Sequence, residues 1–142
     1  MVKTAIARLA DAIGYPEKVP DDSVVFTLRV DGAEILAEET GGRIVLEFAL
    51  SEDASVLQSL AGYAAGRMLR EEAALAFGSI HAPGHSGPQA FLWQDEDASA
   101  DARSLLRLFE TFMDSCDWWR ERVNALRRSE AVPPPEAMMI RP

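Results

Sequence analysis

The sequence is poor in the residues that cross-link a chain or anchor it in a membrane. It has one cysteine, Cys116, among 142 residues, so no internal disulfide can form, and a lone thiol is typical of a reducing compartment. No apolar run approaches the roughly 20 residues that a membrane-spanning helix needs. Residues 1–8 alternate between apolar and polar, unlike the apolar core of a signal peptide. We therefore expect a cytoplasmic protein without membrane insertion.

Basic residues and histidines are also scarce. The chain has 14 Lys and Arg against 23 Asp and Glu, a net charge of −9, and only two histidines. Nucleic acids and anionic lipids attract basic surfaces, so neither is an expected partner. Hydrophobic residues make up 48% of the chain, as in folded globular proteins. We expect one domain over residues 1–128 and a flexible, proline-rich tail over 129–142.

The N-terminal part predicts a helix followed by a three-stranded meander. Apolar residues spaced three and four apart predict an amphipathic helix over 3–13, which Gly14 ends. Alternating apolar residues then predict strands with one buried face. Asp31-Gly32 and Gly41-Gly42 favour the two-residue turns that join antiparallel strands. The three strands are expected at about 26–30, at 33–40 and at 43–50.

A second helix is predicted from Ser51 to about Met68. It contains Gly62 and Gly66, four residues apart on one face, and each costs roughly 0.5–1 kcal/mol relative to alanine. Such a face suits close packing, either on the chain's own sheet or against another subunit. Two more strands and a long closing helix follow, at about 73–81, at 90–94 and from 99 to 128. Residues 71–76 could instead continue the second helix, but Gly78 and Ile80 favour the strand. The fold class is therefore α+β in the order α-β-β-β-α-β-β-α, with an antiparallel sheet packed with helices.

The residues that could carry chemistry do not form a complete site. The loop 84–88 is similar to a hydrolase nucleophile elbow, but Pro88 stands where that motif needs glycine. His81 and His85 lack the further ligands of a metal site. The acidic run 95–97 lacks the spacing of a calcium loop, and fits the start of the last helix. We expect no cofactor, no metal and no enzymatic activity, with a hydrolase using the 84–88 loop as the less favoured alternative.

The closing helix carries an apolar stripe that includes Cys116 and Trp119. Cys116 has no histidine near it in sequence, which favours a small core residue over a nucleophile. Leu108 and Trp118 flank the stripe. They predict either a wide buried face or an apolar edge left for a partner.

The order of elements resembles the class I type III secretion chaperones, the Tir chaperone-like family. These are small, acidic bacterial proteins that bind secreted effectors and are associated with virulence. The likeness is carried by Ile6–Ala10, Val30–Gly32, Gly42–Leu46, Ala90–Trp93, Phe109–Phe112 and Trp118–Trp119.

The resemblance implies a homodimer that binds the N-terminal region of a secreted effector and keeps it competent for secretion. The dimer interface would include Leu60, Gly62, Tyr63, Gly66 and Arg67. The effector would contact a hydrophobic surface formed by Ile6, Leu9, Ile13, Val25, Phe26 and Leu28. The alternative is a structural adaptor, that is, a protein-binding domain that has this same fold but no role in secretion.

Overall fold

The computed structural model describes residues 2–51, 74–78 and 89–131, and these form an α+β fold. Ser51, the predicted start of the second helix, is instead the last residue of a strand, and the rest of that predicted helix and residues 79–88 lie outside the described residues. No helix in the described ranges is long and apolar enough to cross a membrane. The elements are α1 (Ala5–Ile13), β1 (Val25–Val30), β2 (Ala33–Thr40), β3 (Arg43–Ser51), β4 (Ala74–Gly78), β5 (Gln89–Asp97) and α2 (Ala102–Ala131).

Helix α1 begins and ends at capping residues. The Thr4 hydroxyl accepts a hydrogen bond from the Ala7 amide, so the helix starts at Ala5 instead of Lys3. Gly14 adopts a left-handed φ of 67° and ends the helix, as predicted.

The three-stranded meander is confirmed. Asp31-Gly32 and Gly41-Gly42 both have positive φ at their two central positions, between 51° and 78°. That is the requirement of a type I′ turn, and it pairs β1 with β2 and β2 with β3 in antiparallel register.

Within the described residues, the sheet has five antiparallel strands in the order β1-β2-β3-β5-β4. Strand β5 lies between β3 and β4, so β1 and β4 are the edges. It is longer than predicted, because residues 95–97 continue the pairing with the start of β3. Arg43 of β3 contacts Asp95 at 3.2 Å. The acidic run therefore belongs to a strand, and its assignment to the start of the last helix is wrong.

Helix α2 starts at Ala102, three residues later than predicted, because Asp101 caps it. The Asp101 carboxylate accepts a hydrogen bond from the Ser104 amide at 2.9 Å. At the other end the helix continues to Ala131, so residues 129–131 of the predicted tail are helical. Residues 132–142 lie outside the described part of the chain.

Both helices pack on the same face of the sheet and share one core. It joins α1 to the inward side chains of the strands and to the apolar stripe of α2. Its largest fully buried members are Trp119, Phe112, Ile6, Leu9, Leu28, Ile35, Ile44, Leu46, Leu92 and Leu105.

The stripe of α2 is wide. Leu108 is buried, and Trp118 is partly buried against the core, with its ring edge-to-face with that of Trp119 at 5.1 Å. The Arg122 guanidinium lies 4.9 Å from the centre of the Trp118 ring. Cys116 is fully buried, and burial raises the pKa of its thiol to about 12. It is a core residue, as predicted, and its thiol stays protonated and unreactive at neutral pH.

Candidate functional site

Strand β1 lies at the edge of the sheet, so the backbone N–H and C=O groups on one of its sides do not face another strand of the sheet. The Val24 carbonyl accepts a hydrogen bond from the Glu39 amide at 2.8 Å, and Val30 pairs with Ala33 beside the turn. Hydrogen-bonded and non-hydrogen-bonded pairs alternate along an antiparallel ladder. The even-numbered residues of β1 therefore direct their backbone groups to β2. The odd-numbered residues, Val25, Thr27 and Arg29, direct theirs outward.

Two of these three outward positions are open. Among the described residues, no group bonds the outward N–H or C=O of Val25 or Thr27. The N–H of Arg29, in contrast, donates to the Tyr15 hydroxyl at 3.0 Å. The free length of backbone thus ends at Tyr15.

The side chains along this edge lack the usual protection against strand pairing. Natural edge strands carry lysine, proline or a bulge, which keep other strands away. Residues 24–28 are Val-Val-Phe-Thr-Leu and contain no charge and no proline. Val24 and Val25 are 53% and 59% exposed, among the few large apolar side chains at the surface of the described residues. We call residues 24–27 the first-strand edge.

An aromatic pair borders the first-strand edge. The rings of Tyr15 and Phe26 meet edge-to-face, with centroids 6.3 Å apart and planes at 88°. Both residues are partly buried against the core, as is Ile13 at the end of α1. Tyr15 is held in place because its amide donates to the Ala10 carbonyl at 2.9 Å, directly after the left-handed turn at Gly14. The edge therefore has an apolar border on its helix side.

Charged residues lie around the edge but not on it. Arg29 and Glu34 form an exposed pair at 3.5 Å, a kind of contact that contributes little to stability. Beyond Tyr15, a groove of about 300 Å³ has charged walls. In it, Lys3 contacts Asp11 at 2.7 Å, and this hydrogen bond raises the pKa of Lys3. An apolar segment would therefore be favoured on the strand and not in the groove.

A second groove, of about 380 Å³, lies between β5 and α2. Its polar wall includes Gln94, whose side-chain amide donates to the Thr111 hydroxyl at 2.9 Å. Asp95, also in this wall, is paired with Arg43 and raises the pKa of that guanidinium. No group of three or more His, Cys, Asp or Glu is placed to hold a metal ion within the described residues.

The structure divides the six residues predicted to contact an effector. Ile6, Leu9 and Leu28 have no exposed surface, so a ligand cannot reach them in this fold, and their assignment to a binding surface is corrected. They face the core because α1 and the even-numbered positions of β1 supply its first layer. Ile13 and Phe26 are partly buried and Val25 is exposed, so only these three remain near the surface.

Two residues of the site were not predicted from the sequence. Val24 precedes the expected strand, and Tyr15 follows the end of the first helix. The uncharged run 24–28 was the available signal for Val24, whereas nothing local to Tyr15 indicates its contact with Arg29. The predicted dimer residues, which are Leu60, Gly62, Tyr63, Gly66 and Arg67, lie outside the described residues. So do His81, His85 and the loop 84–88.

No protein-family model matches the chain, and no curated protein matches its sequence. Among solved structures, the fold is similar to the crystal structure of YbjN from E. coli, which is described as a candidate transcription regulator. The TM-score is 0.55 at 11% sequence identity, and the match covers 90% of this chain and 93% of that chain. At this identity, the likeness concerns the fold alone.

Proposed function

We propose that this chain binds an extended segment of another protein along the first-strand edge, and that it acts as a type III secretion chaperone. The segment would come from the N-terminal region of a secreted effector, which the chaperone keeps competent for secretion. The observation that carries the proposal is an open backbone edge with two exposed valines and no charged residue.

Strand addition explains how such an edge would bind. An incoming strand would exchange backbone hydrogen bonds with Val25 and Thr27, and these give affinity with little dependence on sequence. Alternate side chains of the segment would point to opposite faces. On one face they would contact Phe26 and Tyr15, and on the other Val25 and Thr27. Holding a segment extended needs only binding energy, so no nucleotide or cofactor is required.

The finer assignment to type III secretion is supported by element order, acidity and the residues that resemble the family. A net charge of −9 would keep the protein soluble while its apolar edge waits for a partner. A homodimer formed through the predicted helix that carries Gly62 and Gly66 belongs to the same proposal. Light scattering on the purified chain at micromolar concentration should give the mass of a dimer, and a strict monomer would count against this part.

Replacing Val25 by lysine tests whether the edge binds. Tagged wild-type and V25K chains are expressed in the bacterium that encodes them, and co-purified proteins are compared by quantitative mass spectrometry. We expect V25K to recover at least tenfold less of the client, because an edge lysine opposes strand addition. The matched control is V2K, since Val2 is 89% exposed and lies outside the strands. Equal recovery by V25K and wild type would contradict binding at this edge.

A second experiment separates a secretion chaperone from a structural adaptor. The gene of this chain is deleted, and the client identified by co-purification is followed in the cells and in the culture medium. A chaperone role predicts that the client disappears from the medium, and that truncation of its N-terminal region abolishes its binding. A client that remains inside the cell in the wild-type strain would favour the adaptor.

A further inference from the structure

We infer that Tyr15 sets the length and register of strand addition. Its hydroxyl accepts the hydrogen bond of the Arg29 amide, and an incoming strand would need that amide to continue pairing past Thr27. This inference rests on the proposed binding at the first-strand edge. It makes Tyr15 a specificity-determining residue and describes the partner segment. That segment is short, extended and uncharged, and it pairs at Val25 and Thr27 only.

The geometry of Tyr15 supports this role. Its hydroxyl accepts a hydrogen bond from the Arg29 amide, with oxygen and nitrogen 3.0 Å apart. In a complex, a carbonyl of the incoming strand would have to take the place of this hydroxyl. A strand that pairs at Val25 and Thr27 would meet Arg29 next, since outward positions recur every second residue. To continue, it would have to displace both the hydroxyl and the ring. The ring is held by Phe26 and by the core.

The same contact limits pairing between two copies of this chain. Two β1 strands could align along their whole length only by using all three outward positions, Val25, Thr27 and Arg29. With the Arg29 amide occupied, only two positions are available for each strand, which is a weak basis for self-association. A hydrogen bond from a side chain therefore protects an edge that lacks a protective charge, without closing it to a short segment.

The test measures hydrogen exchange of individual backbone amides by NMR, in the full wild-type chain and in Y15F. In the free wild-type protein, the Arg29 amide should exchange more slowly than the Val25 and Thr27 amides. In Y15F, its protection should fall by roughly five- to tenfold, the size expected for one hydrogen bond, while Leu28 is unchanged. The control is E110A, an exposed change on α2 away from the first-strand edge, which should leave the protection of Arg29 as in the wild type. Unchanged protection of Arg29 in Y15F would overturn the inference.

A peptide then tests the register. The probe is a synthetic peptide of residues 21–28 of this chain, in which two aspartates precede the uncharged run 23–28. In the wild type, it should increase protection at Val25 and Thr27 only, whereas in Y15F the new protection should extend to Arg29. If wild type and Y15F gain the same protection at all three amides, Tyr15 does not set the register. If neither Val25 nor Thr27 gains protection in either protein, the proposed edge binding fails, while the free-protein comparison separately decides whether Tyr15 caps Arg29.

Discussion

The carboxylates of Asp97 and Asp101 organise the connection between β5 and α2. Asp101 accepts the Ser104 amide and thereby satisfies one of the unpaired N–H groups at the start of a helix. Asp97 accepts both the amide and the hydroxyl of Ser99. These hydrogen bonds lower the pKa of both aspartates below the ordinary value of 3.8, because they favour the charged form.

Replacing Asp101 by alanine should destabilise the fold at neutral pH. Because the folded-state pKa of Asp101 is lowered, its stabilising effect is fully present above the unfolded value of 3.8 and is lost as pH falls through the lower folded value. The urea midpoint of D101A should therefore lie below that of the wild type at pH 7, and the difference should shrink toward pH 2.5. E110A, an exposed position of the same helix, is the control and should show little change at either pH. A difference between D101A and wild type that stays constant with pH would contradict the charged cap.

At the scale of elements, Arg8 connects α1 to the segment between β5 and α2. Its guanidinium donates to the Ala100 carbonyl at 2.6 Å and also to the Ala98 carbonyl. The planar group, with its several N–H donors in fixed directions, can serve both carbonyls at once. These contacts link residues that are 92 and 90 positions apart in the sequence. They therefore fix the first helix beside the start of the last one.

Replacing Arg8 by methionine should cost about 2 kcal/mol in the free energy of unfolding. This figure follows from the usual value of a hydrogen bond to a charged group in a partly buried place. R8K should fall between R8M and wild type, since its ammonium keeps the charge but lacks the planar fork. R103M changes an exposed arginine on α2 and serves as the control. The free energies of unfolding are measured by urea denaturation. If those of R8M and R103M differ by less than about 0.5 kcal/mol, the range of neutral surface changes, Arg8 does not hold the two helices together.

The elements that could be predicted from the sequence are those with local causes. The two hairpins follow from Asp31-Gly32 and Gly41-Gly42, whose backbone freedom determines the turn whatever surrounds it. The end of β5 had no such signal, because aspartate and glutamate are uncommon in strands. Only the partner strand, with Arg43 beside Asp95, makes residues 95–97 part of the sheet. The position of β5 between β3 and β4 is likewise a tertiary property.

The candidate site could be predicted only in part for the same reason. Alternation indicates which residues of β1 share a face, and it placed Phe26 and Leu28 together correctly. It does not indicate which backbone edge is left without a neighbour, because this depends on the order of all five strands. The sequence predicted a site that included Ile6, Leu9 and Leu28, whose side chains face inward. The structure instead places the candidate site at the outward backbone groups of Val25 and Thr27.

For the molecule as a whole, two opposing features determine its behaviour without a partner. The net charge of −9 makes copies repel one another, and salt screens this repulsion. The first-strand edge offers an uncharged β-forming run, which is the kind of segment through which proteins aggregate. We therefore expect the isolated wild-type chain to aggregate faster on warming as the salt concentration rises.

The lysine variants separate the edge from the overall charge. V25K and V2K each add one positive charge to an acidic protein, so each reduces the mutual repulsion equally. If repulsion alone governs aggregation, both variants should aggregate somewhat faster than the wild type. If the molecules associate through the first-strand edge, V25K should aggregate several-fold more slowly than the wild type despite its smaller net charge, because lysine on an edge opposes pairing. V2K should not aggregate more slowly than the wild type. Light scattering at fixed temperature and salt measures this, and equal rates for V25K and V2K would exclude the first-strand edge as the surface through which the molecules associate.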